Sequence, residues 1–375
     1  MGIQAEGLKL TMDHIEPLVV GGSLLGGGGG GDPQDGRQLA RKALELGDPY
    51  LVPIETLRPD AVVVTVALVG APSAPERSLN LEDLPKAVEL IQETFGAQVQ
   101  AIMTNENGGF ASVNGWIQSA VLGLPIVDAP CNGRAHPTAL MGAMGLHLVP
   151  GYRSLQVALG GTGTRRVEVC VSGSLEGASA IVRQAAVQAG GLVAVARNPV
   201  TANYVAQHGA PGALTMALRI GEAVLRTLPH RQATWEAAAE AVGGRIVDVG
   251  RVLRVHMETV GGFDRGAIFV EGGRIYELTV WNEYMTLEVE GQRLATFPDL
   301  IATLGENGLP LTSAEIREGV TVALLAAPKE NLILGAGMRD PQLFRIVEQN
   351  IGKELIRYIF GEVEKNGNET DNRSL

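Results

Sequence analysis

Residues 61–69 read AVVVTVALV, nine positions interrupted by a single threonine. A strand so uniformly apolar is buried on both faces. It needs covering layers above and below, as in the parallel sheet of an α/β domain. The residues that follow fit this. Leu81–Phe95 has helical spacing with Asp83 and Pro85 near its start, and Val99–Met103 is a second strand. Ser112–Leu122 reads as a helix closed by Gly123, Pro125–Asp128 as a third strand and Pro137–His147 as another helix. Strand–helix alternation of this kind builds crossover units.

The alternation continues through strands Leu155–Leu159 and Arg166–Ser172, helix Leu175–Gln188, strand Leu192–Ala196 and helix Gly212–Thr227. After Gly243 the texture changes. Arg245–Val260, Gly266–Val270, Arg274–Trp281 and Met285–Val289 are β segments punctuated by Gly and Asn, which suggests antiparallel pairing. Leu300–Leu304 and Ala314–Glu318 are predicted as short helical pieces, Val320–Ala326 as a buried strand and Pro341–Glu362 as helix. The expected fold class is α/β, a mostly parallel-sheet N-terminal domain with Gly-rich loops plus a smaller β-rich C-terminal domain. Boundaries are placed at 1–150, 151–244, 245–327 and 328–375, the last a helical segment with a frayed tail.

Composition excludes several function classes. With 45% hydrophobic and 19% charged residues in 375, the chain has material for two cores and is not disordered throughout. A net charge of -11 argues against nucleic-acid binding through a basic face. No apolar run is long enough to span a bilayer and no basic-then-apolar leader opens the chain, so a cytoplasmic location is expected. Two cysteines, Cys131 and Cys170, lack the pair spacing of a thiolate zinc site. His14, His147, His208, His230 and His256 are scattered, with no His-x-x-x-His spacing.

Three loops follow strands of the first domain, and in open parallel sheets ligands bind beyond the strands' carboxyl ends. They are Gly70-Ala71-Pro72-Ser73, Asn105-Glu106-Asn107-Gly108-Gly109, and the stretch from Asp128 to Pro137. In the third, Asp128 suits a base, a metal ligand or a turn cap, and Cys131 a nucleophile, a soft ligand or a small buried residue. Arg134 suits a carboxylate clamp or a partner for a local acid. Asn132 stands between them as a further binding group. His136 suits proton transfer, metal ligation or a cap for the helix at Pro137. Glu106 reads as a general base or as an acceptor for helix N–H groups, with Gly108 and Gly109 letting backbone approach a ligand. The run Gly26–Gly31 before Asp32-Pro33 reads as an anion or amide cradle or as a hinge; no Gly-Lys-Ser/Thr follows, so no nucleotide is expected. Gly29, Gly30, Gly31 and Asp32 are its candidate binding residues. Arg265, in a turn of the second domain, is expected to be mainly structural, with a reach toward the site.

At these same loops the sequence resembles the family named for S-methyl-thiohydantoin desulfurase. The resemblance is carried by Gly26–Gly31 with Asp32-Pro33, Gly70-Ala71-Pro72, Glu106-Asn107-Gly108-Gly109, the stretch 122–128, and Gly133-Arg134-Ala135-His136-Pro137. It continues through Gly261–Gly266, Pro298-Asp299-Leu300 and Pro310-Leu311-Thr312. What it implies is a two-domain enzyme acting on a five-membered cyclic imide: hydrolytic desulfuration, with water attacking C2 and methanethiol leaving. The alternatives are a ring-opening cyclic-imide hydrolase or a non-catalytic, regulatory subunit of a hydantoinase assembly. The expected partners are a small cyclic imide and further copies of the chain in a homo-oligomer, with neither nucleic acid nor membrane. The expected roles are Glu106 or Asp128 as base, His136 as proton donor and Arg134 on a substrate carboxylate. Cys131 would be a nucleophile, or, with Asp128 and His136, a ligand for a divalent metal such as zinc.

Overall fold

The computed structural model describes residues 7–70, 78–261 and 263–361. The first sheet has eight strands: β1 Leu8–Lys9, β2 Tyr50–Val52, β3 Val62–Gly70, β4 Val99–Thr104, β5 Ile126–Val127, β6 Ser154–Gly160, β7 Val167–Gly173 and β8 Leu192–Thr201. Their order is β1-β2-β5-β4-β3-β8-β6-β7. The segment β2-β5-β4-β3 is parallel, as the crossover pattern requires. The expectation of a mostly parallel sheet does not hold for the rest. The strand β8 enters antiparallel beside β3, and the β8-β6-β7 and β1-β2 pairings are antiparallel too. The sheet is mixed because β6, β7 and β8 join by a hairpin and a helical return instead of successive right-handed crossovers.

The helices are α1 Met12–Gly26, α2 Pro33–Leu46, α3 Asp83–Phe95, α4 Trp116–Leu122, α5 Leu175–Gln188, α6 Ala202–His208, α7 Ala213–Leu225 and α8 Arg231–Ala241, then α9 Pro341–Ile351 and α10 Ile356–Phe360 near the C-terminus. α1 is buried along most of its length and crosses α7 at glycine contacts. A Cβ at Gly21 would come within 1.8 Å of the Ala217 carbonyl, and one at Gly221 within 1.8 Å of the Pro17 carbonyl, so the two backbones touch. No helix among the described residues is long and apolar enough to cross a membrane.

The second sheet is antiparallel throughout and has eight strands of its own: β9 Arg245–Val260, β10 Phe263–Glu271, β11 Ile275–Trp281, β12 Glu283–Val289, β13 Gln292–Thr296, β14 Leu300–Leu304, β15 Pro310–Leu311 and β16 Thr321–Ala327. Its order is β13-β12-β11-β10-β9-β16-β14-β15, and it curls until β12 and β13 meet β14 again. Leu300–Leu304, predicted helical, is a strand: all five residues are buried and pair with β16, so its unbroken apolar run reflects two covered faces. The helix expected over Pro137–His147 is replaced by turns, with Met144 and Gly145 both at positive φ. Pro341–Glu362 breaks at Gly352, which is left-handed at φ 68°. The two sheets share one core. Leu300, Leu304, Ala323 and Leu325 pack in the same apolar cluster as Leu18, Leu24, Leu214 and Leu218.

Candidate functional site

A cavity of about 910 Å³ opens beyond the carboxyl ends of β3 and β4. Gly70, Asn105, Glu106, His136, Arg183 and Arg197 line one side, and Asn282, Glu283, Ser313 and Arg317 of the second domain line another. Gly29, Gly30, Gly31 and Asp32 lie on its wall between the two. Ala71, Pro72 and Ser73 lie outside the described residues.

Glu106 and His136 meet here. His136 Nε2 lies 3.2 Å from Glu106 Oε2, and the His136 backbone N–H donates to the same oxygen at 3.2 Å. Asn105 completes the group: its Nδ2 donates to His136 Nε2 at 3.1 Å and, more weakly, to Glu106 Oε2 at 3.4 Å. Its Oδ1 accepts from Arg197 Nη2 at 2.7 Å. The tautomer follows from the partners. His136 Nδ1 faces the Thr138 carbonyl at 3.0 Å, which only accepts, so the proton sits on Nδ1 and Nε2 offers a lone pair.

The environment moves both titrations. Burial raises the Glu106 pKa to about 7, against the His136 N–H and the positive charge of Arg197, which favour the carboxylate. Burial, with the nearby charge of Arg197, lowers His136 to about 3, so its imidazole is neutral near pH 7. Among the described residues every polar contact to the Glu106 carboxyl falls on Oε2 and none on Oε1. The carboxyl side chain is 16% exposed, enough to meet a molecule in the cavity.

The other candidates go elsewhere. Asp128 is not on the cavity wall. Its Oδ1 accepts from the N–H groups of Leu214 and Thr215 at 2.8 and 3.2 Å, and its Oδ2 from Thr215 Oγ1 at 2.5 Å. It caps α7, whose own N-cap is Gly212 and supplies no side chain. Cys131 is fully buried beside Thr65 Oγ1 at 3.3 Å, and burial pushes its thiol up to about 11, far from the low pKa of a reactive thiol. Asn132 is spent on the Arg134 carbonyl and the Gly335 N–H.

Arg134 is completely buried and does not line the cavity. It donates to the Pro298 and Asp299 carbonyls at 3.1 and 2.5 Å and stacks 4.5 Å from the Phe297 ring, so it braces the second domain. Arg265 pairs with Glu258 on the exposed hairpin of β9 and β10. Asp128, Cys131 and His136 do not converge as ligands. Among the described residues no three His, Cys, Asp or Glu side chains form a group that could hold a metal ion.

The glycines act by being small. Gly108 lies against Gly30, where a Cβ would stand 2.2 Å from the Gly30 Cα, and a Cβ at Gly109 would stand 2.8 Å from Pro33 Cγ. Gly28 lies against the Tyr284 ring, and Gly29 against the Glu283 carboxyl. The N–H groups expected to serve a ligand are partly used already: Gly29 donates to the Gly26 carbonyl at 3.1 Å and Gly108 to Ser112 Oγ at 3.1 Å. Asp32 caps α2 through the Gln34 and Asp35 N–H groups. Asn105, Arg197 and Glu283 were missed by sequence reasoning. The first was in plain view beside Glu106; the other two sit on strands whose sequence carries no mark of the cavity.

Two family models match the sequence in succession. "S-Me-THD-like, N-terminal domain" matches residues 13–167 and "S-Me-THD-like, C-terminal domain" matches residues 174–338. No protein with a curated description matches. A crystal structure of a protein from Chromobacterium violaceum is similar in fold, with a TM-score of 0.69 at 20% identity over 92% of this chain and 96% of that one.

Proposed function

Since the chain belongs to the S-Me-THD-like family through both of its domains, we propose that it hydrolyses an S-methylated thiohydantoin, releasing methanethiol and leaving a hydantoin. The observation that carries this reading is the Glu106 carboxyl, held against His136 on the cavity wall with its pKa raised to about 7. A general base is most effective when its pKa lies near the working pH.

Ionised Glu106 takes a proton from water as the oxygen adds to C2, and the electron pair of the C2–N double bond moves onto the ring nitrogen. Arg197, buried on the same wall, stabilises that developing charge. When the C2–S bond breaks, Glu106 returns its proton to sulfur; of the water's two protons, one ends on nitrogen and one on sulfur. The His136 backbone N–H keeps Glu106 in place, its imidazole, neutral near pH 7, does not store the proton, and Asp128 has no share in the step. Arg183 and Arg197 supply the positive charge for a carboxylate on the substrate's side chain, the role expected of Arg134.

The experiment is thiol release from S-methylthiohydantoin propionate. Native protein should release methanethiol, and Glu106→Gln should lower kcat by roughly two to four orders of magnitude. Absence of thiol from the native protein, with divalent metal supplied, ends this reading.

A further inference from the structure

Glu283 stands on the cavity wall and the chemistry above leaves it idle. It opens β12 directly after Asn282, whose left-handed φ of 60° turns the chain out of β11. The turn is pinned on several sides. The Asn282 N–H donates to the Asp264 carbonyl at 2.7 Å, Ser313 Oγ donates to the Asn282 carbonyl at 2.9 Å, and the Tyr284 N–H donates to the Gly27 carbonyl at 2.8 Å.

The side chain so placed is 3% exposed, and its Oε2 has no hydrogen-bond partner among the described residues. A Cβ at position 29 would come within 2.2 Å of Oε1, so it is glycine there that gives the carboxyl room. Buried polar atoms cost free energy until something meets them. Rotation about the soft Cγ–Cδ bond lets the two oxygens exchange places at little cost.

We propose that Glu283 sets the specificity of this cavity by taking the adjacent N–H and C=O of a cyclic amide across its two carboxyl oxygens. The proposal rests on the cyclic-imide reading above and names the group that recognises the ring. Burial first, and then the negative charge of Glu106, hold Glu283 well above the usual carboxylate range, while Arg134 pulls the other way. The neutral acid carries one O–H donor and one carbonyl acceptor side by side. They match an amide whose N–H and C=O point the same way. A ring imposes that cis geometry, whereas an open peptide amide is trans. A carboxylate, with acceptors only, would repel the ring carbonyl.

The test measures dissociation constants of two ligand pairs, hydantoin with 1,3-dimethylhydantoin and succinimide with N-methylsuccinimide, on native protein, Glu283→Gln and Glu283→Leu. Native protein should prefer each N–H ligand over its methylated partner by about ten- to a hundredfold, as two buried hydrogen bonds allow. Glu283→Gln, which keeps a donor and an acceptor, should retain most of the preference, and Glu283→Leu should reduce it to within about threefold. A preference that survives intact in Glu283→Leu overturns the proposal, as does native protein that binds neither N–H ligand. A native protein that shows the preference, loses it in Glu283→Leu and releases no thiol would remove the desulfurase reading but support this one. Thiol release with a preference indifferent to Glu283 would do the reverse.

Discussion

Two loops leave neighbouring strands at the same edge of the first sheet and put their polar residues to opposite uses. The loop after β4 delivers Asn105 and Glu106 to the cavity, whereas the loop after β5, which carries more reactive groups, delivers of Asp128, Cys131, Arg134 and His136 only the last. The difference lies in who meets the local backbone demand. In the first loop Asn107 does it, donating to the Gly133 and Ala213 carbonyls while Ser112 donates to its Oδ1, so Glu106 is left over. In the second, α7 begins at a glycine cap and its N–H groups draw in Asp128. A carboxylate becomes available for chemistry when another side chain relieves it of structural work.

That contrast can be broken by substitution. The largest expected effect is Glu106→Gln, a loss of roughly two to four orders of magnitude in kcat; an equal loss in Asp128→Asn with the fold intact would erase the distinction between the loops. Next comes pH. The base must be ionised and its pKa is raised to about 7, so kcat/KM should fall about tenfold per unit below that value. A limb placed instead near pH 4 to 5 would mean that Glu106 titrates like a solvated acid.

Smaller is Asp128→Ala, which strips three accepted hydrogen bonds from the start of α7. Urea unfolding should show about 1–3 kcal/mol lost, with kcat of the folded protein unchanged. Smallest is Cys131→Ser, expected to leave kcat within about twofold. Native protein treated with iodoacetamide should be labelled at the exposed Cys170 and spared at the buried Cys131; rapid loss of activity with labelling at Cys131 would sharpen the case for a nucleophile there.

The parallel half of the first sheet was legible because its signal is local: β3 is apolar on both faces, and α3, which links it to β4, carries the helical period and a glycine C-cap. The encounter of Glu106 with His136 was legible from the rule that loops beyond parallel strands converge. The glycine run was not. Composition leaves cradle and hinge open and says nothing of the packing partners of the run, Gly108, Glu283 and Tyr284, which lie far along the chain. The helix α1 escaped notice for a related reason. Pro17, Gly21 and Gly22 weaken its local signal, and only the backbone of α7 explains why glycine belongs there. Arg134 looked like a ligand clamp because an arginine beside a candidate histidine suggests one; the carbonyls that occupy it belong to residues 298 and 299.

The place of β8 has a bearing on how the protein is made. It fills the slot between β3 and β6, although it is the last of the eight strands to be translated. A nascent chain leaving the ribosome therefore carries two raw strand margins, one on each side of a gap, until residue 201 has cleared the exit tunnel. A fragment that stops after β7 should stick to others like itself, and its rescue should need a supplied peptide spanning residues 192–201.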